Sequence, residues 1–244
     1  MKTELVEAPA DRPTSLKPRR GVSRPESGPE VYRQLREAIV SGRFQPNERL
    51  VEADLARVIR AGRSSIRAAL VRLDQEGLVR REPHRGARVR LVSDKEALEI
   101  EEVRIVLEQL VARHAAERAT AADLKALRAT VVEMCLRVEQ GDPLAYSELN
   151  ARFHQRIWAI SGQETASKLL ATLKSQSIRF QYRTILRPGR TERSLREHET
   201  IVEALSAHDA DAAEAAMRTH LSQVLETLHW AIESHRHSPG WLSH

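Results

Sequence analysis

The hydrophobic period of this chain changes twice, and that change limits what it can fold into. From Pro29 onward, apolar residues recur at three- and four-residue steps. EVYRQLREAIVSGRF places Val31, Leu35, Ile39 and Val40 on one helical face, and Gly42 ends the run. QPNERL reads as a turn. VEADLARVIR is a second helix with Leu55, Val58 and Ile59 inward, broken at Ala61-Gly62. A third helix, capped by Gly62 or Ser64, carries Ile66, Ala69, Leu70 and Leu73 and ends near Gly77. The period then falls to two. LVRREP and ARVRLV are short strands around PHRG, a β-hairpin. At Ser93 the helical period returns, with Glu96 three residues later as a capping box, and it persists to about residue 236.

Three helices and a hairpin in some 65 residues are the layout of a winged helix-turn-helix. The expected fold class is therefore mainly α: a winged helix-turn-helix followed by an all-α antiparallel bundle. The bundle helices fall near 94–118, 121–140, 143–161, 164–187, 191–207 and 210–236. Their breaks lie at Gly141-Asp142-Pro143, Ser161-Gly162, Arg187-Pro188-Gly189 and His208-Asp209. The expected organisation is a flexible arm over 1–28, a DNA-binding domain over 29–92, a helical domain over 93–236 and a loose tail over 237–244.

Charge separates the two parts. Residues 1–92 hold 20 Lys and Arg against 12 Asp and Glu, a net of +8, whereas residues 93–244 hold 19 against 22, a net of −3. A basic excess confined to one module points to nucleic acid as its partner and to a different task for the rest. The lone cysteine, Cys135, permits no intrachain disulfide, which fits a reducing cytoplasm. No run of about 18 apolar residues is present to span a membrane.

The second helix of a helix-turn-helix enters the major groove with its N-terminal residues toward the base edges. Here that helix opens at AGRSSIRAAL. Arg63 and Arg67, four apart, share one face, and an arginine there can donate twice to guanine O6 and N7. Ser64 and Ser65 can meet a phosphate or a base. Arg60 precedes the helix. The hairpin tip His84-Arg85-Gly86 would approach the backbone or the minor groove, with Gly86 permitting close contact, and Arg80, Arg81, Arg88 and Arg90 can neutralise phosphates. A solvated basic surface is the competing reading of any one of these arginines.

The stretch QLREAIVSGRFQPNERLVEADLARVIRAGRSSIRAALVRLDQEGLVRREPHRGARV resembles the DNA-binding domain of the GntR family of bacterial transcription regulators. The resemblance implies DNA contacts by Arg63, Arg67, Arg85 and Gly86. Four positions depart from the family pattern. Arg60 stands where glycine is usual, Gly62 where a capping serine is, Ser65 where proline is, and Ala68 where glutamate is. These departures leave the fold intact and obscure the operator sequence.

In the helical part, ELNARFHQRIW sets Asn150 and His154 four apart on one face, and His198 and His220 lie in two later helices. Three imidazoles from three helices can converge on a divalent metal in a bundle core, although a lone inward histidine is more often a satisfied core residue. Residues 94–230 resemble the FCD effector domain of the FadR branch of the same family. The resemblance rests on Glu102-Val103-Arg104 with Glu108, on Asn150 to His154, on EHETIVEAL and on DADAAEAAMRTHL. It implies Asn150, His154, His198 and His220 as ligands of a divalent ion (zinc, nickel or manganese), with Asn150 the neutral variant of a position often held by Asp. It also implies a small carboxylate effector near Arg104, for which a salt bridge to Glu101 or Glu108 is the alternative. Arg179, Tyr182 and Arg183 are further pocket candidates, and Trp158 is read as core.

The expected function is a ligand-responsive repressor, not an enzyme, bound as a homodimer to a palindromic double-stranded DNA operator. The alternatives are a metal sensor in which the ion is itself the effector, a metal-dependent hydrolase using the three histidines, and a nonspecific nucleoid-type binder.

Overall fold

The computed structural model describes residues 28–82, 85–185 and 187–236, with side chains for all of these except 178, 179, 181–183, 235 and 236. The expected arm and tail, and the hairpin-tip His84, lie outside the described residues. The chain separates into two compact units between Leu91 and Val92.

The first unit contains helices α1 (Gly28–Val40), α2 (Glu52–Ile59) and α3 (Arg63–Gln75) and strands β1 (Arg49–Leu50), β2 (Val79–Glu82) and β3 (Gly86–Val89). Leu35, Phe44, Leu50, Ile66, Leu70 and Leu73 are fully buried and tie helices to sheet. The sheet order is β1-β3-β2, all antiparallel. QPNERL is therefore not only a turn, since its last two residues pair with β3, Arg49 opposite Arg88 and Leu50 opposite Ala87. A two-residue strand is too short to show a period of two, so the sequence carried no signal for it. α3 starts at Arg63 with Gly62 as its N-cap and no side-chain cap bond, so Ser64 lies inside the helix.

Two backbone positions bear on these residues. Gly86 has φ of +86°, and a Cβ there would lie 2.3 Å from the Leu50 carbonyl oxygen. The close approach that Gly86 permits is thus to β1 within the protein, and it fixes the root of the wing. Gly86→Ala is expected to cost about 2–4 kcal/mol from left-handed strain and backbone overlap, measured as a lower melting temperature. Arg60 ends α2 in the left-handed region, φ 59° and ψ 41°, where a glycine is unstrained. Arg60→Gly is expected to stabilise the protein by about 1 kcal/mol, raising its midpoint in urea.

The second unit is a bundle of α4 (Asp94–Arg118), α5 (Ala121–Glu139), α6 (Pro143–Ser161), α7 (Glu164–Ile185), α8 (Arg190–Ser206) and α9 (Ala210–Arg236). Its ends match the sequence breakers. The Ser93 hydroxyl accepts from the Glu96 amide at 3.1 Å, Thr120 and Asp123 form a full capping box, and Pro143 opens α6 behind an Asp142 cap. Alanines 112, 115 and 116 let α4 approach its neighbours closely, and Phe153, Ile157, Leu205, Met217 and Leu221 fill the centre. α4 also turns a stripe of charge inward: Glu101, Arg104 and Glu108 are all buried. No described helix is long and apolar enough to cross a membrane.

Candidate functional site

In the first unit an open groove runs between α3 and the hairpin. Arg49, Arg63, Arg67, Arg81 and Arg85 line it, with Glu52, Glu82 and Gly86. Five guanidinium groups against two carboxylates make it a cradle for a polyanion. The groove gathers Arg63, Arg67, Arg85 and Gly86. Arg60, exposed Ser64 and half-buried Ser65 are not among its walls. Arg67 is not idle, because its Nε and one terminal nitrogen donate to the Glu52 carboxylate at 3.2 and 2.9 Å. One edge of the guanidinium that would read a guanine is held by a carboxylate of the protein itself. Arg88 is likewise engaged, donating to Glu82 and to the Asn47 carbonyl at 3.1 and 2.6 Å, so it braces the hairpin. Arg49 was not a sequence candidate, because the strand that carries it left no mark in the pattern.

In the second unit α6, α8 and α9 bring His154, His198 and His220 together. All three are buried, and one ring nitrogen from each lies within 4.8 Å of the other two. Each Nδ1 is occupied from behind. His154 Nδ1 faces Glu108 Oε2 at 3.4 Å, His220 Nδ1 faces Glu197 Oε2 at 2.6 Å, and His198 Nδ1 faces the Tyr146 hydroxyl at 3.4 Å. A carboxylate only accepts, so His154 and His220 must donate from Nδ1 and keep the Nε2 lone pair free. With Nδ1–H donating to the Tyr146 oxygen, His198 does the same. Its Nε2 is buried with no hydrogen-bond partner, and so is the Asn150 side-chain oxygen.

These two orphaned acceptors are the test of fit. Buried polar atoms without partners are rare and costly. Two of them beside two imidazoles backed by carboxylates have the chemistry to hold a divalent ion. Burial lowers all three imidazole pKa values, that of His220 to about 4 despite Glu197, so the rings are neutral and ready to ligate.

The supporting groups extend outward. Glu108 is fully buried. Burial opposes its charge, but His154, Arg104 and Trp158 outweigh it and hold the carboxyl well below the usual range. Trp158 Nε1 donates to it at 2.7 Å, so this residue, read as core, is also a second-layer partner. Arg104 donates to Glu101 at 2.7 and 2.9 Å and lies 3.5 Å from Glu108. Its salt bridges are real, and it lines the cavity as well. Glu102, the motif match, is exposed, and Glu101 occupies the inner face instead. Arg190 grips Glu197 with both terminal nitrogens, at 3.2 and 3.0 Å.

Against this cluster lies a cavity of about 50 Å3, counted as space open to the centre of a water. Asn150, His154, His220, Arg104, Arg190 and Lys174 supply part of its polar wall together with the Glu101 carboxylate, and Phe180, Leu221 and Leu228 part of its apolar wall. Lys174 is buried, and its ammonium makes no hydrogen bond or ion pair to a described residue. Burial first, and Arg104 next, lower its pKa to about 8. Lys174, Arg190 and Glu197 were not sequence candidates. A lysine in KSQS and a Glu preceding a His give no signal until the helices pack. Arg179, Tyr182 and Arg183 lie on α7, with side chains outside those described.

Residues 28–89 match the bacterial regulatory proteins of the gntR family, and residues 99–223, half of the chain, match the FCD domain. The chain belongs to the GntR family. Among curated relatives, this GntR-family protein is 29% identical to the HTH-type transcriptional repressor RspR of Escherichia coli K12, over 82% of its own length and 87% of that protein's. It is 27% identical to the galactonate operon transcriptional repressor of the same strain, over 76% and 89%. Among solved structures, McbR/YncC of E. coli matches with a TM-score of 0.71 at 21% identity, over 84% of this chain and 98% of that one, which supports the fold. The GntR-family chain is a bacterial transcription regulator with a DNA-binding winged helix-turn-helix, not an enzyme.

Proposed function

We propose that this regulator is a homodimeric, ligand-responsive repressor whose sensing domain holds a divalent ion and a small carboxylate. Asn150, His154, His198 and His220 are the ligands, and Arg104, Lys174 and Arg190 face the carboxylate. The observation that carries the reading is the pair of buried, unpartnered acceptors, Asn150 Oδ1 and His198 Nε2, within a set of imidazoles anchored from behind. A bound ion supplies Lewis acidity and positive charge to draw a carboxylate oxygen. The residues around it hold the imidazole tautomers and exclude water. A relative is named for the galactonate operon, and galactonate is a carboxylate.

On the DNA side, Arg63, Arg67 and Arg85 make the contacts, with Arg49 and Arg81 on the phosphates. Two copies put two recognition helices about 34–36 Å apart on an inverted repeat. The outward stripe of α4, where Val103, Val106 and Leu110 are exposed at helical spacing, supports self-association. Effector binding and operator binding favour different arrangements of the same dimer and so oppose each other through a coupling free energy.

Native mass spectrometry of the full chain tests this directly. The expected mass is a dimer with one metal per chain, and selection from random duplexes should return an inverted repeat. A metal-free monomer would sink the proposal. Release from DNA by chelation or metal alone, with no response to any carboxylate, would favour the metal-sensor reading.

A further inference from the structure

The charge in the sensing site decides which acid it accepts. Among the described residues three cations, Arg104, Lys174 and Arg190, meet three carboxylates, Glu101, Glu108 and Glu197, so the cluster is balanced before any ion enters. The pairing is uneven. Arg104 is held by Glu101 and Glu108 through its terminal nitrogens, and Arg190 by Glu197 through both nitrogens, whereas the Lys174 ammonium lines the cavity 5.7 Å from the Trp158 ring and is paired with no carboxylate. The four candidate ligands add no compensating charge, since Asn150 is a carboxamide and the three imidazoles are neutral. A divalent ion there leaves two positive charges uncompensated in a buried site, and buried charge without a partner is costly.

We infer that the effector of this regulator is a dianion, such as a short dicarboxylate, with one carboxylate at the ion and the second on Lys174. The inference rests on the metal-bound reading proposed above. A monoanion leaves one buried positive charge, and a neutral ligand leaves two. The two anchoring points lie on different walls of one cavity, Asn150, His154 and His220 on α6 and α9 and Lys174 on α7, so a molecule with an acid at each end spans them. The cavity's 50 Å3 has room for only about four waters, which limits the acid to a short chain. Phe180, Leu221 and Leu228 suit the methylenes between the two acids.

The test uses the full-length protein loaded with zinc, its metal content measured on each sample by mass spectrometry. Malonate and succinate are titrated calorimetrically against malonamate and succinamate, monoamides of the same size that carry one charge fewer. The wild type is expected to favour each diacid over its monoamide by about tenfold or more, the preference a buried cation without a carboxylate partner gives. Lys174→Met should keep its zinc and lose most of that preference. Asn150→Asp, which adds one negative charge at the ion, should narrow it while still holding zinc. Equal affinity for diacid and monoamide at full zinc occupancy, binding of neither, or an unchanged preference in Lys174→Met would overturn the inference and leave the metal reading standing. Absence of zinc after loading would overturn both.

Discussion

Replacing His198 with alanine is expected to weaken binding of a divalent ion by about a hundred- to a thousandfold, one ligand's share of a four-ligand site. Competition against a chromophoric chelator measures it. The ring is fully buried, and its Nε2 has no other partner, so the substitution removes a donor that nothing nearby replaces. Alanine also leaves a cavity, so His198→Gln, closer in volume, separates lost ligation from lost packing. Both variants should lose the ion, and His198→Gln should keep the wild-type helical circular dichroism. Glu197→Gln should cost less, about ten- to a hundredfold, because it loosens the His220 ring and frees Arg190 without removing a ligand. Unchanged metal affinity in His198→Gln would show that the histidine cluster is a packed core and nothing more.

Arg67→Ala is expected to weaken operator binding by about ten- to a hundredfold at each half-site and to compound across a dimer. Binding to random duplexes should change little. The Glu52 carboxylate complicates a simple deletion. It holds one edge of the Arg67 guanidinium, through Nε and one terminal nitrogen, so binding DNA through that edge exchanges one partner for another. Glu52→Gln should therefore strengthen binding to any duplex and steepen its dependence on salt, while the ratio of operator to random affinity falls. Fluorescence anisotropy on both duplexes at two salt concentrations resolves these effects. An Arg67→Ala protein with an intact specificity ratio would remove Arg67 from base reading.

Much of this was legible in the residues because the helices are long and their ends are marked. The breakers at Gly141-Asp142-Pro143 and Pro188-Gly189 put helix ends within a few residues of the observed ones. β1 was invisible because its two residues pair only through β3, far along the chain. Asn150 and His154 could be paired in advance, since a four-residue step fixes a common face. Lys174 could not, because its importance comes from burial beside α4, and sequence spacing holds no record of that; Arg190 and Glu197 share a face of α8 at a seven-residue step, but their approach to His220 on α9 leaves no such mark. The α4 motif says nothing about which acidic residue faces inward. Glu102 fitted the pattern, yet Glu101 is on the inner face, because Glu101, Arg104 and Glu108 share one side of the helix and Glu102 does not.

The bond from Trp158 to Glu108 makes the helical domain its own light source. The indole N–H donates to the same carboxylate oxygen that backs His154. Charge arriving at that imidazole is therefore felt one atom away by a fluorophore whose emission shifts with the local field. Trp230, the other described tryptophan, is 42% exposed, with Arg187 4.6 Å over its ring. A water-borne quencher such as iodide should silence Trp230 while sparing Trp158. In a Trp241→Phe variant under that quencher, the remaining emission should follow occupancy of the site with no label attached.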